Sequence, residues 1–351
     1  MGRVAGAYGM SVDPIRDTDR AVTLADIARA AGTSPSTASR ALSGHGYVAE
    51  DVRKRLVAAA ERLGYVPNAS ARTLKQQTSR VVGVVVSDLG NHFYGGLAAG
   101  IEQVLREADF QMLLVGDNSE SVEELAAVRT FLAMRAPGVI LTPVGQQATA
   151  FLGRRGVAVV EVDRRNPAAS TDAVVIDNVR GAREAVQHLI ELGHRRIALL
   201  GVDTDWTSDV GRVEGYRAAH VAAGLPVDEE LIVRIGFHDP AAESRIDDLL
   251  ARHHPTAVFA ANNLLAEQAW RVIRARGLAL PTDISLVGFD DVLWTAMVSP
   301  AITVVAQPTL DLGRRAASLL LRRIAEPASA PTVELLQPRL VVRGSSGPPR
   351  D

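Results

Sequence analysis

The run from Thr23 to Leu42 admits few folds other than two short helices joined by a tight turn. Thr23 is a good N-cap, and Asp26 three residues on completes the pattern of a capping box. Gly32 stands where the first helix can end on a left-handed residue at little cost. Ser34 can cap the second helix, with Pro35 at its first position, where no backbone donor is needed. Leu24, Ile27, Ala28 and Ala31 form one apolar face; Ala38, Ala41 and Leu42 form another. Pro35, Ser36, Ser39 and Arg40 are left to face outward, as on the recognition helix of a helix-turn-helix. Helical hairpins also serve as plain scaffolding, so the flanking sequence decides the reading.

Glu50 to Leu63 reads as a third amphipathic helix, with Val52, Leu56, Ala59, Ala60 and Leu63 on one side and Gly64 at its end. Pro67 and Asn68 then open a helix too short to be stable alone in water, ending on Leu74. The whole run resembles the headpiece and hinge of the lactose-repressor/galactose-repressor (LacI/GalR) family, and the resemblance extends over roughly residues 22–345. It implies that the hinge folds when a dimer sits on its operator and that Leu74 wedges into the minor groove. Such wedging unstacks a base step at a cost of a few kcal/mol and bends the duplex. By the same resemblance the DNA contacts are Thr23, Ser34, Pro35, Ser36, Thr37, Ser39 and Arg40 in the headpiece, and Asn68, Ala71, Leu74 and Lys75 in the hinge.

Charge follows this division. The chain of 351 residues carries a net charge of only −2, but residues 21–80 hold nine Lys and Arg against four acids. Residues 1–20 are balanced, so the remainder, 81–351, is acidic with 26 basic and 33 acidic residues. A small basic module on an acidic body suits phosphate binding. There is no cysteine, which removes disulfides and thiolate metal sites. No run of 18 apolar residues is present, and the first twenty lack the apolar core of a signal peptide. The expectation is a soluble cytoplasmic protein. Residues 1–20 are read as a disordered extension, or as sequence ahead of the true start.

From Val81 short apolar runs alternate with helical segments. Val81–Val86, Met112–Val115, Gly138–Leu141, Val157–Val160 and Ala173–Ile176 read as buried parallel strands, followed by Arg196–Leu200, Ala257–Ala260 and Ser285–Phe289. The helices between them include Gly95–Ala108, Gly181–Leu192, Val210–Ala223, Leu264–Arg276 and Leu310–Ile324. This alternation suggests two doubly wound lobes, although the halves show no convincing sequence repeat. The resemblance implies a type I periplasmic-binding-protein-like core whose chain crosses between lobes. The expected division is extension 1–20, helix-turn-helix headpiece 21–66, hinge helix and linker 67–80, two-lobed effector and dimerisation core 81–345, and tail 346–351.

Ligands of open α/β sheets bind beyond the carboxyl ends of the strands. There stand Ser87, Asn91 and Phe93 after the first strand, and Asp163 after Val162. Phe93 is read either as packing on a ligand or as a hydrophobic staple at a helix start. In the second half Arg212 falls in Ser208…Arg212…Gly215-Tyr216, which matches a family signature, and its guanidinium can fork onto hydroxyls or a carboxylate. Phe237, Asn262 and Asp290 match family positions that stack on or hold a ligand. Asn263 departs from the family's usual aspartate; it is expected to cap the helix starting at Leu264, with little structural effect.

Two other function classes fit the sequence less well. An enzyme would be expected to show a Walker A run, His-Glu-x-x-His or Gly-x-Ser-x-Gly, none of which occurs, and His188 and His194 lack a third metal ligand nearby. A solute-binding transport receptor shares the body but not the basic headpiece. The reading is a non-enzymatic transcriptional regulator, a repressor in the family's usual mode. It binds a pseudo-palindromic operator as a homodimer and is switched by a small effector, a sugar or sugar derivative favoured over a nucleobase, with no cofactor and no metal. No leucine-heptad tail of a tetramer follows Ser345.

Overall fold

The computed structural model describes residues 22–43, 46–65 and 78–350. The chain divides into two compact units, Met1–Lys75 and Gln76–Asp351. The first contains α1 (Leu24–Ala30), α2 (Pro35–Ser43) and α3 (Glu50–Leu63). Thr23 and Asp26 form a reciprocal capping box, with the Thr23 backbone N–H donating to Asp26 Oδ2 at 3.0 Å. Ser34 Oγ accepts from the Thr37 N–H at 3.2 Å, closing the first turn of α2. Ile27, Ala28, Ala31, Ala38, Ala41, Leu56 and Ala59 make a small common core. Leu63, expected on the buried side of α3, is 38% exposed. Gly64, at φ +65°, reverses the chain there, the Tyr65 N–H bonds back to the Ala60 carbonyl, and Tyr65 packs on the core instead. This is a Schellman turn with its apolar contact one residue past the glycine.

The second unit is built as two lobes. The first holds β1 (Val81–Val86), α4 (His92–Glu107), β2 (Gln111–Gly116), α5 (Ser121–Ala133), β3 (Gly138–Leu141), α6 (Gln147–Gly153), β4 (Ala158–Asp163) and β5 (Asp172–Ile176). The second holds α7 (Asn178–Glu191), β6 (Ile197–Val202), α8 (Thr207–Ala222), β7 (Ile232–Ile235), α9 (Ala242–His253), β8 (Ala257–Ala260), α10 (Asn263–Ala275), β9 (Ser285–Phe289), α11 (Leu293–Met297) and β10 (Thr303–Ala306). The chain then returns with α12 (Thr309–Ala325) and β11 (Val333–Leu336) to the first sheet and closes with β12 (Arg339–Val341) on the second. Each sheet has six strands, ordered β11-β5-β4-β3-β1-β2 and β12-β10-β9-β8-β6-β7, and β12 alone runs antiparallel to its neighbour. The two orders match strand for strand and differ only in the direction of the outermost returning strand, parallel for β11 and antiparallel for β12. The halves therefore repeat in structure where the sequence shows no repeat.

The lobes exchange one helix each. α12, which follows the last strand but one of the second sheet, packs on α4 of the first lobe; α7, which follows β5, packs on α8 of the second. Glycines permit both crossings. A Cβ on Gly100 would lie 2.1 Å from the Leu310 carbonyl oxygen, and one on Gly313 the same distance from that of Leu97. Gly215 meets the Val179 carbonyl in the same way at 2.3 Å. Gly313→Ala would gain helix propensity of roughly 0.5–1 kcal/mol but must push two helix backbones apart, a strain of about 1–3 kcal/mol. The expected result is a lower melting temperature in calorimetry; an unchanged or raised one would show that the α4–α12 crossing relaxes freely.

Helix starts differ from expectation in a regular way. α4, α7 and α8 begin at His92, Asn178 and Thr207, each one turn before the residue at which apolar periodicity sets in. The first turns of α7 and α8 are mainly polar, whereas that of α4 carries Phe93 and Tyr94 into the core; α4 is capped by Asn91 and α7 by Asp177, and all three open at the carboxyl ends of strands.

Candidate functional site

The carboxyl ends of both sheets face each other across a cleft that narrows to a chamber of about 50 Å³. Asn91, Phe93, Tyr94, Asp163 and Arg164 line it from the first lobe, and Val202, Trp206, Ser208, Asp209, Arg212, Phe237, Asn262 and Asp290 from the second. Gln307, on the crossing after β10, completes the wall. All the effector residues expected from the sequence meet here except Ser87. That side chain is buried behind the wall, where its Oγ accepts from Arg164 Nη2 at 2.6 Å; it holds Arg164 and does not face the chamber. Phe93 sits in the first turn of α4, not ahead of its cap as a staple would. Its ring is buried in the first lobe's core, edge-on to Tyr94 at 5.1 Å.

Asp163 and Asp290 occupy matching places. They end β4 and follow β9, strands at the same position in the two sheets, and both take a left-handed backbone, φ +70° and +77°. Asp290 accepts three hydrogen bonds: Gln307 Nε2 donates to Oδ1 at 2.5 Å, while Asn263 donates to Oδ2 from its side chain at 3.0 Å and its backbone at 3.3 Å. The same Asn263 amide also reaches Asn91 Oδ1 at 3.0 Å, joining the lobes. This corrects the expectation for Asn263. The cap of α10 is Asn262, whose Oδ1 accepts from the Leu265 N–H at 2.8 Å, because the helix begins one residue earlier than the apolar pattern. Asn263 is a donor between two acceptors. An aspartate there would set a second carboxylate against Asp290, since an ionised carboxylate cannot donate.

Arg212 is 5% exposed and held from below. Nε donates to Asn178 Oδ1 at 2.9 Å and Nη1 to the Ala261 carbonyl at 2.6 Å, over the Phe289 ring at 3.9 Å. Arg164 is its counterpart on the other wall: Nε donates to the Pro143 carbonyl at 2.7 Å, and the guanidinium stacks 3.6 Å over Trp206 of the second lobe. The Trp206 Nε1–H crosses to the Val144 carbonyl at 3.2 Å. The sequence motifs do not mark Trp206, Asp209, Gln307 or the part played by Arg164. The strand-end rule that found Asp163 and Asp290 covers Trp206 after β6 equally well, whereas Gln307 depends on β10, a strand not read.

Burial pushes the Asp163 carboxyl up to about 6; Arg164 and Arg212 pull it down, and Asp290 and Asp209 add to the rise. Burial also raises Asp209, opposed by Arg212. The folded chain thus holds the Asp163 proton at pH values where the unfolded chain, near 3.8, has lost it. Its cost to stability grows as pH rises between those two values and is complete above about 6. An ionised Asp163 makes the stronger, charge-assisted bond to a ligand hydroxyl. Effector affinity is therefore expected to fall as pH drops through about 6, and Asp163→Asn to flatten that dependence. Calorimetric titration on either side of that pH checks it; an equal pH slope in the variant would place the titrating group elsewhere.

In the headpiece, Ser34, Pro35, Ser36 and Arg40 are exposed, and Thr23, Thr37 and Ser39 are half-buried. Arg40 lies one turn after Ser36, whose carbonyl accepts from Arg40 Nε at 3.4 Å. Asn68, Ala71, Leu74 and Lys75 lie outside the described residues.

Residues 23–68 match the model of the lacI family of bacterial regulatory proteins, and residues 186–346 that of a periplasmic binding protein-like domain. The transcriptional regulator DegA of Bacillus subtilis is 32% identical over 93% of this chain and 98% of its own. CelR of Thermobifida fusca is 35% identical over the same shares. A solved CelR–cellobiose complex is 33% identical, covers 92% of this chain and 99% of that one, and superposes with a TM-score of 0.71. The lac repressor dimer bound to operator and the anti-inducer ONPF is 26% identical, covers 93% and 100%, and superposes at 0.82. Helix-turn-helix headpiece and two-lobed core occur here together and in the same order, and this chain belongs to the LacI family of bacterial transcriptional regulators.

Proposed function

We propose that the chain is a repressor, acting in the cytoplasm without catalysing a reaction. It reads a pseudo-palindromic operator as a homodimer and is switched by a sugar or sugar derivative held between its lobes. The observation that carries the effector reading is the makeup of the chamber. Carboxylates and guanidinium groups from both lobes converge beside Phe93, Trp206 and Phe237 in one small space. Mixed fixed donors and acceptors next to aromatic faces suit a ring bearing several hydroxyls. Exposed Ser36 and Arg40 on a capped helix carry the DNA reading.

Coupling follows from the bonds that join the lobes. Asn263 to Asn91 and Trp206 to Val144 span the chamber, so a ligand between those walls changes the balance between lobe arrangements. The resemblance puts Leu74 at the receiving end, as the wedge that both hinges must present together. Operator selection from a randomised duplex pool, followed by titration with and without sugar at fixed salt, tests the whole reading. A two-fold symmetric site is expected, with affinity shifting by about 1–3 kcal/mol on effector binding. Leu74→Ala should weaken operator binding and shrink the effector-dependent ratio; an unchanged ratio would show that signalling bypasses the hinge.

A further inference from the structure

The chamber is not the end of the cleft. Val202, Phe237 and Asn262 also wall a second, outer cavity of about 250 Å³, running between the end of β7 and the helices α9 and α10. The inner chamber, at about 50 Å³, is well below the roughly 300–1,000 Å³ of ordinary ligand sites, and only the two together reach that range. From the outer cavity we infer that the effector is a neutral disaccharide, one ring in each chamber with Phe237 between them. This inference rests on the sugar reading of the cleft and adds its length and charge.

The lining of the outer cavity sets the chemistry of the second ring. Asp88, Glu243 and Glu267 supply three carboxylates against one guanidinium, Arg271, and one imidazole, His238, so the lining stays acidic even with His238 protonated. That guanidinium is shared between two of the carboxylates: it hydrogen-bonds Glu267 and lies 3.9 Å from Glu243. An anionic sugar, a uronate or a sugar phosphate, would meet uncompensated like charge there. Hydroxyl groups would find acceptors. Gln268 lines the cavity too; its Oε1, closed to solvent and without a hydrogen-bond partner among the described residues, becomes a further acceptor once the side chain turns towards the ligand. A buried acceptor left unpaired is costly, and a ligand hydroxyl donated to it recovers that cost. Leu264 offers apolar surface beside it for a ring face.

The test is calorimetric titration of the full-length protein with glucose, galactose, cellobiose, maltose, lactose and glucuronate, with hypoxanthine and guanine as nucleobase controls. At least one neutral disaccharide is expected to bind about tenfold or more tighter than its component monosaccharides, the gain of one or two added hydrogen bonds. Glucuronate is expected not to compete. Leu264→Trp, which fills the outer cavity, and Gln268→Ala, which removes the acceptor without adding bulk, should each bring the disaccharide-to-monosaccharide affinity ratio down towards one. Operator binding by each variant reports that it is folded. Monosaccharides binding as tightly as every disaccharide, or a ratio untouched in both variants, would overturn the outer subsite while leaving the sugar reading in place. Binding of a nucleobase and of no sugar would overturn both.

Discussion

Arg212→Ala is expected to abolish the effector response while leaving operator affinity without effector close to that of the parent chain. The side chain is buried, its charge lowers the carboxyls of both Asp163 and Asp209, and it is aimed into the cleft by Asn178 and the Ala261 carbonyl. Removing it takes away the fork that would hold ligand hydroxyls and leaves two acids with less compensation, a loss of about 2–5 kcal/mol in effector binding. Arg212→Lys should recover little, because an ammonium keeps the charge but cannot bond Asn178, Ala261 and a ligand in one plane. Titration of operator affinity with and without effector decides between outcomes. A normal response in Arg212→Ala would show that the ligand is held without this guanidinium.

Arg40→Ala is expected to cost about 1–3 kcal/mol at each half-site of the true operator and to relax preference at one symmetric pair of base positions. The argument begins with α2. The Ser34 cap and Pro35 at the first position start the helix cleanly, and Ala38 and Ala41 pin its inner face on the headpiece core. Arg40 and Ser36 are then one turn apart on its exposed side. A guanidinium there can meet guanine O6 and N7 together, the commonest specific major-groove contact. Pro35 has no hydrogen-bonding side chain, so the helix start reads less sequence and more of the selectivity falls on Arg40. Binding to a mutated half-site library by parent and variant separates the cases. Affinity lost equally for every sequence, with a reduced salt slope, would make Arg40 a phosphate contact.

What the chain shows by itself is local. Caps at Thr23, Ser34 and Gly64 are readable because the bonds they make reach no more than a few residues. Central strands such as Val81–Val86 and Ser285–Phe289 are readable because helices cover both faces, leaving a near-continuous apolar run. The rule fails for two edge strands, β11 and β7, and for β10, which is central and buried but only four residues long. In β11, Val333 and Leu335 are exposed on alternate positions, and β7 is only partly buried, so neither carries the same mark. The three residues by which α7 and α8 begin early are mainly polar and open onto the cleft; those of α4 include Phe93 and Tyr94, buried ahead of the stretch where helical periodicity shows in the sequence.

The site belongs to the tertiary structure. Asn263 reads in sequence as a helix cap, yet its amide works between Asp290 and an Asn91 that is 172 residues away along the chain. Ser87 stands at a strand end like the ligand-facing residues, but Arg164, 77 residues on, turns it into a support. Position after a strand tells which residues can reach the cleft. Which of them stay open to a ligand depends on the partners that folding brings beside them, and those partners come from distant parts of the chain, within one lobe for Ser87 and across the cleft for Asn263, where no periodicity or spacing points.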